Sequence, residues 1–267
     1  MLRSFNSKCI MPLFACPTNS PKVHEITLTD PCFISDLHLN SEDDGEVETF
    51  KTFLDTVAEK RKELVILGDF FDYWVGDDAL FTAKAVIEPL KQFSQTHSIY
   101  FMHGNRDFMV SDRLMHAMGA TLLADPTIAR YQDQTLLLSH GDLWCTKDVD
   151  YQKLRRKVRS VWWQWLMLRF PLKKRLSIAH NARMKSRTQK NNKKAEEMDV
   201  EAAAVIEAAR LTSADMIIHG HTHRPGQISL TPTLSRYVLG DWRHQADGHF
   251  GGSCLVFEEK TPVYLSF

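Results

Sequence analysis

The chain has no net charge: thirty-three Lys and Arg balance thirty-three Asp and Glu over 267 residues. That balance argues against a nucleic-acid binder driven by overall charge, whose electrostatic footprint is a basic excess. Also missing is any apolar run of the roughly 18 to 20 residues that a bilayer-crossing helix needs. The richest stretch, residues 161–170, is broken by Gln164 and Arg169. The five cysteines are odd in number, scattered and without a C-x-x-C pair. Neither a disulfide framework nor a structural zinc ribbon is expected, and reducing cytosol is the expected home. The chain contains no G-x-S-x-G elbow, no G-x-x-x-x-G-K-[ST] loop and no G-x-G-x-x-G fingerprint, which leaves little support for acyl-enzyme, P-loop or dinucleotide chemistry. A hydrophobic share of 43% and a charged share of 25% exclude disorder and low complexity, and the length allows one large domain or two modest ones.

The even charge conceals a segregation. Residues 153–194 hold fifteen Lys or Arg and no Asp or Glu, leaving eighteen basic against thirty-three acidic residues elsewhere. Such a segment wants an anionic partner, whether phosphate, nucleic acid or an anionic lipid surface; the plainer alternative is a solvated basic face.

Short apolar runs at residues 32–34, 64–67, 99–102, 135–138 and 216–218 read as buried strands. Val47, Phe50, Phe53, Leu54 and Val57 recur at helical spacing between the first two, giving β-α-β. Residues 237–239, 254–257 and 263–267 read as later strands, with nearby glycines marking connections. The expected fold class is therefore a layered α/β core. Residues 151–211 form a helical stretch in which Leu154, Val158, Val161, Trp165 and Leu168 make an apolar stripe, with Pro171 ending or kinking the helix. Three segments follow: a flexible leader over residues 1–30, a core over 31–150 and 195–267, and a helical cap inserted over 151–194. Within the leader, Arg3 and Lys8 precede a short apolar patch, but Pro12 interrupts it and export is not expected; a start at Met11 is an alternative.

Five polar clusters follow the predicted strands: Asp36-Leu37-His38, Gly68-Asp69, Gly104-Asn105-Arg106-Asp107, His140-Gly141-Asp142 and Gly220-His221-Thr222-His223. Open α/β sheets place their ligands at the carboxyl ends of strands. Residues separated by one point to the same side of an extended chain, so Asp36 with His38, and His221 with His223, could each approach one centre. A lone D-x-H is more often a satisfied structural pair; five clusters in order are a site. Carboxylate, imidazole and amide donors without thiolate suit Mn, Fe, Co or catalytic Zn. Two such ions about 3.5 to 4 Å apart would grip an in-line displacement at phosphorus, with Asp69 as the natural bridge between them. Phe71 and Trp74 read equally well as core, His24, His97 and His116 as surface or structural groups, and Asp77-Asp78 as a loop cap.

These blocks resemble the calcineurin-like metallophosphoesterases, from about Phe33 to the C-terminus. Phe33-Ile34-Ser35-Asp36-Leu37-His38-Leu39, Gly68-Asp69-Phe70-Phe71-Asp72-Tyr73-Trp74-Val75-Gly76-Asp77-Asp78, His103-Gly104-Asn105-Arg106-Asp107-Phe108 and His219-Gly220-His221-Thr222-His223-Arg224-Pro225 are similar in particular to the UDP-2,3-diacylglucosamine pyrophosphohydrolases of lipid A synthesis. The resemblance implies a β-sandwich flanked by helices and hydrolysis at the α-phosphorus of the UDP-lipid, giving UMP and 2,3-diacylglucosamine 1-phosphate. It implies two divalent ions, usually Mn(2+), one held by Asp36, His38, Asp69 and His223 and the other by Asp69, Asn105, His140 and His221. Arg106 stands where many relatives have histidine and is the expected catalytic group, a fixed positive fork for pyrophosphate oxygens. Asn105, Arg106, Asp148, Ser186, Lys190, Lys193 and His221 are the expected substrate contacts, although Lys190 departs from the small polar residue common there. An anionic membrane surface at the cytoplasmic face of the inner membrane is the expected peripheral partner, with no nucleic acid and no protein partner implied. The runner-up is another binuclear phosphoesterase acting on a nucleotide or phosphoprotein; a third reading is a scaffold that has lost catalysis, against which every expected ligand is present.

Overall fold

A computed structural model describes residues 22–40, 43–190 and 199–267. Its strands are β1 (Val23–Leu28), β2 (Pro31–Ile34), β3 (Glu63–Ile66), β4 (Ser98–Met102), β5 (Ala120–Tyr131), β6 (Gln134–Ser139), β7 (Met216–His219), β8 (Gly226–Thr231), β9 (Leu234–Val238), β10 (Arg243–His244), β11 (Phe250–Gly251), β12 (Ser253–Glu258) and β13 (Thr261–Ser266). The helices are α1 (Asp44–Thr56), α2 (Lys84–Phe93), α3 (Asp112–Met118), α4 (Val149–Val158), α5 (Val161–Leu168), α6 (Leu172–Lys190) and α7 (Ala202–Thr212).

Eleven strands make one sheet in the order β13-β12-β2-β3-β4-β5-β6-β7-β9-β8, with β1 pairing β5 beside this path. The sheet curls on itself. Phe33, Val65 and Met102 from one half share a buried cluster with Leu136, Leu138 and Ile218 from the other, so the two halves face each other as the layers of a sandwich. The alternate residues Ile34, Leu64, Ile66 and Phe101 face outward against Phe50, Val86, Leu90 and Leu114 of α1 to α3. Leu137 and Ile217 cover the opposite outer face with Val205 and Ala209 of α7. Runs buried on both faces have no polar alternation, which is why they read as continuous apolar stretches.

Strand β5 is the hinge of the curl. Residues 120–123 pair in parallel with β4, whereas residues 127–131 pair antiparallel with β6. Sequence patterning passes over it because Asp125-Pro126 interrupts the apolar run where the strand changes layers. The leader reading is corrected at its end: Val23–Leu28 is a strand in register with β5, held because Ile26 and Leu28 are buried in the inner cluster. Strand β8, mostly exposed, also lacks the pattern of a buried strand.

The helical segment is corrected too. One continuous helix was expected to Pro171, but the chain breaks after α4, where the Ser160 side chain accepts a hydrogen bond from the Trp163 N–H and starts α5. The stripe is not one buried face, since Leu154, Val161 and Trp165 are exposed while Leu168 is buried. Helix α7 begins at Ala202. Elsewhere Asp77 is the cap that its loop position suggested. It accepts from the N–H groups of Ser111 (3.2 Å) and Leu114 (2.9 Å) at the start of α3 and from Trp74 Nε1 (2.8 Å). Phe71 and Trp74 are buried core.

Phe50 sits at the centre of the α1 contact, against Phe53, Phe70 and Trp242. Phe50→Ala is expected to lower stability by roughly 3 to 5 kcal/mol, measured as a shifted urea midpoint with an unchanged slope.

Candidate metal centre and active site

The loops after β2, β3, β4, β6 and β7 converge and are tied by backbone hydrogen bonds. Asp36 N–H donates to Gly68 O (3.0 Å), His38 N–H to Asp69 O (3.0 Å) and Gly220 N–H to His140 O (3.0 Å). Among the described residues, eight other than glycine have positive φ; Asp36, His38, Asp69, His221 and His223 are five of them. Left-handed backbone at a non-glycine residue costs of order 1 to 3 kcal/mol and persists where the surroundings over-determine it. Asp36 and His38 therefore converge through left-handed backbone, not through the strand alternation expected from spacing, and His221 and His223 do not share one centre as that alternation implied. Glycine is required at 104 and 220, where a Cβ would collide with the carboxylates of Asp69 and Asp36 respectively.

Asp36 and Asp69 are sealed from solvent at the ends of neighbouring parallel strands. Asp36 Oδ2 accepts from Ser35 Oγ (2.6 Å) and the His221 N–H (2.8 Å). Its Oδ1 lies 3.3 Å from His223 Nε2. His38 Nδ1 is 3.9 Å from Asp69 Oδ2, and His140 Nε2 is 3.8 Å from Asp69 Oδ1. His140 Nε2 is 3.1 Å from Asn105 Oδ1, while its Nδ1 faces Leu67 O at 2.9 Å. A carbonyl only accepts, so Nδ1 carries a proton, and in the neutral imidazole that a metal requires Nε2 is the ligating atom, in place of a donor to the Asn105 oxygen. The rings of His38 and His223 are 5.4 Å apart, and those of His140 and His221 are 5.0 Å apart. His221 and His223 thus belong to opposite sides of the cluster.

The electrostatics fit cations. Asp36 Oδ1 and both ring nitrogens of His38 are buried without a hydrogen bond, an arrangement that costs free energy unless another positive or donor group engages them. Two groups have donor atoms mutually within 4.8 Å: Asp36, His38 and His223, and Asp36, Asp69 and His140. Burial raises the Asp69 carboxyl, reinforced by the negative charge of Asp36 against the opposing pull of His140 and Arg106. Burial would raise Asp36 as well, but His223, His140 and His38 hold it below the usual range. Burial and Arg106 drive His38 toward the neutral form that a metal ligand requires. His223 resists burial and rises to about 9 because Asp241 and Asp36 flank it.

Arg106 leans over the same carboxylate. Its backbone N–H donates to Asp69 Oδ1 (2.8 Å), Nε lies 3.6 Å from Oδ2, and Nη1 donates to Asp72 Oδ1 (3.0 Å). Of the other expected contacts, Asp148 caps α4, its carboxylate accepting from the Tyr151 N–H at 3.0 Å. Ser186 is exposed on α6, Lys190 ends that helix, and Lys193 lies outside the described residues.

Several residues support the site without being among its expected ligands or substrate contacts. Asp241, after β9, places Oδ2 3.3 Å from His223 Nδ1, the carboxylate–imidazole pairing that orients metal-binding histidines. Asp107 binds the loops together by accepting from Phe70 N–H (2.8 Å) and Gly104 N–H (2.7 Å); burial, and then the Asp69 charge, push its carboxyl up to about 7. Tyr151 stacks on His221 with 6.0 Å between ring centres and donates to Asp142 Oδ2 at 2.6 Å. Asp142 also receives Arg155 (2.8 Å) and Arg159 (3.4 Å), fastening α4 to the core. Asp241 and Tyr151 are not distinguishable in sequence from a solvated acid or a core aromatic, whereas Asp107 and Asp142 stand in polar clusters that the sequence displays.

A helix-flanked curled sheet with carboxylates, imidazoles and an amide at its strand ends is the architecture of a metallophosphoesterase. The calcineurin-like phosphoesterase family model matches residues 32–225, and the chain belongs to that family. Within it the relatives are more particular. A protein of Histophilus somni named UDP-2,3-diacylglucosamine hydrolase is 41% identical over 79% of this chain and 91% of its own length. One of the same name from Aeromonas salmonicida is 41% identical over 84% of this chain and 88% of its own. Among solved structures, an archaeal phosphodiesterase aligns over 89% of this chain and 99% of its own, with a TM-score of 0.46 and 13% identity.

Asp36 is the carboxylate common to both donor groups, and Asp69 reaches both sides, 3.9 Å from His38 and 3.8 Å from His140, so Asp69→Ala is expected to reduce bound metal at both positions. Elemental analysis of wild type and variant checks this; undiminished occupancy in the variant removes Asp69 as the bridge.

Proposed function

We propose that the chain hydrolyses the pyrophosphate bond of UDP-2,3-diacylglucosamine at the α-phosphorus, giving 2,3-diacylglucosamine 1-phosphate and UMP. The observation that carries the reading is the cluster of buried carboxylates and imidazoles at Asp36, His38, Asp69 and His140, several of whose atoms lack a hydrogen bond, beside the Arg106 guanidinium. It is a place made for cations and an anionic phosphorus centre together. The substrate is the one for which its relatives are named. Two divalent ions would be held by Asp36, His38, Asp69 and His223 and by Asp69, Asn105, His140 and His221, and carboxylate, imidazole and amide donors suit Mn(2+). When bound, such ions supply Lewis-acid charge and lower the pKa of a water nucleophile.

The protein's own groups do the rest. Asp69 spans the two positions, and Ser35 and the His221 N–H orient Asp36. Leu67 O fixes the His140 tautomer, and Asp241 fixes the His223 ring. As a guanidinium fork, Arg106 stabilises the charge that develops on the phosphoryl oxygens and transfers no proton. Asn105, Asp148, Ser186, Lys190, Lys193 and His221 are proposed to contact the substrate from the site and cap. Arg106→Ala is expected to slow UMP release about 10²- to 10³-fold, the loss seen when one charge-stabilising donor is removed, with metal content unchanged. Near-normal turnover would remove that role.

The cap separates this reading from a phosphoesterase for soluble nucleotides. It leaves Leu154, Val161, Trp162, Trp165, Leu166 and Phe170 exposed, apolar surface that a diacyl substrate and a bilayer interface would use and a nucleotide would not. No helix among the described residues is long and apolar enough to cross a membrane. We place the protein peripherally on an anionic leaflet at the cytoplasmic face of the inner membrane. Arg175 does not face outward: it is 2% exposed and engaged by Asp78, whereas Lys173 and Lys174 are exposed. Sedimentation with anionic liposomes at low salt is expected to bring the protein down, and high salt or charge reversal at Lys173 and Lys174 to release it. Protein that stays in the supernatant at low salt rules out this attachment.

A further inference from the structure

We propose that Arg183 of α6 is a positioning residue for the reaction: by sharing the Asp72 carboxylate with Arg106, it makes the setting of the catalytic arginine depend on the seating of the cap. The inference rests on Arg106 acting at the reacting phosphate and extends that role to a residue on another element.

Asp72 lies three residues after Asp69, its side chain 12% exposed, and its two oxygens are divided between two arginines. Oδ1 accepts from Arg106 Nη1 at 3.0 Å, and Oδ2 accepts from Arg183 Nη1. Arg106 is held at its other edge by Asp69, with Nε 3.6 Å from Oδ2. Its guanidinium therefore hangs between two carboxylates, one belonging to the centre and the other anchored by the cap. Eight residues earlier on α6, Arg175 grips the same loop through Asp78 and the Val75 carbonyl. Helix α6 thus clasps residues 72–78 at two points, and that loop follows directly from Asp69. Without Arg183, Asp72 keeps one strong partner and is free to rotate with it, and Arg106 loses its fixed edge. A bidentate carboxylate with both oxygens engaged has no such freedom.

The test is a double-mutant cycle on UMP release from the diacylated substrate, with single-turnover measurement where steady-state rates are too slow. Arg183→Met is expected to lower kcat about tenfold with KM held within about twofold, the pattern of a lost transition-state interaction. In an Arg106→Ala background the same substitution is expected to add no further loss, because the group it positions is gone. Arg183→Lys, which keeps the charge and one donor, is expected to recover part of kcat, and it carries the comparison if the Met variant has a lowered thermal midpoint. An undiminished loss in the Arg106→Ala background overturns the proposal, since Arg183 would then touch the lipid directly or serve only to fold the cap. Normal kcat in Arg183→Met overturns it as well. Near-normal turnover in Arg106→Ala alone fails the parent reading and removes the premise, an outcome read from that single variant.

Discussion

Asp36 and Asp69 stand at the ends of adjacent parallel strands, out of contact with water, where their like charges repel and neither is hydrated. Cations at this point convert an unfavourable arrangement into a binding site. The surrounding architecture serves to impose it. Left-handed backbone at five candidate ligands, glycines at 104 and 220 where no Cβ fits, and Asp107 binding two loops by their N–H groups all press the carboxylates into one volume. The curled sheet supplies the rigidity, because apolar side chains pack both faces of the strands that carry the loops.

Among the described residues, the basic side chains of the cap do not form one surface. Arg155, Arg159, Arg175 and Arg183 turn inward onto Asp125, Asp142, Asp78 and Asp72. Lys173 and Lys174 face solvent. Arginine at the inward positions is chemically apt, since a planar fork can engage a carboxylate with two parallel bonds whereas an ammonium acts as a point charge. The acidic loops of the core and these four arginines of the cap thus hold each other. Outward-facing lysines, together with Trp162 and Phe170, are exposed.

Sequence by itself determined the chemistry and most of the scaffold. The donor types at Asp36, His38, Asp69, Asn105, His140, His221 and His223 follow apolar runs that become β2, β3, β4, β6 and β7, and a run buried on both faces announces itself by composition alone. The spacing of Val47, Phe50, Phe53 and Leu54 likewise marks α1, because a helix with one buried face repeats its apolar residues every three or four positions. What only the tertiary structure decided depends on distance in space between residues far apart in the chain. Strand β1 is legible only through its partner β5, and β5 only through its change of layer. Asp241 beside His223, Tyr151 on His221, and Asp72 between Arg106 and Arg183 are ordinary residues in sequence. Hydrogen bonds and ion pairs act over a few ångströms, and a linear pattern carries no information about which side chains folding brings within that range.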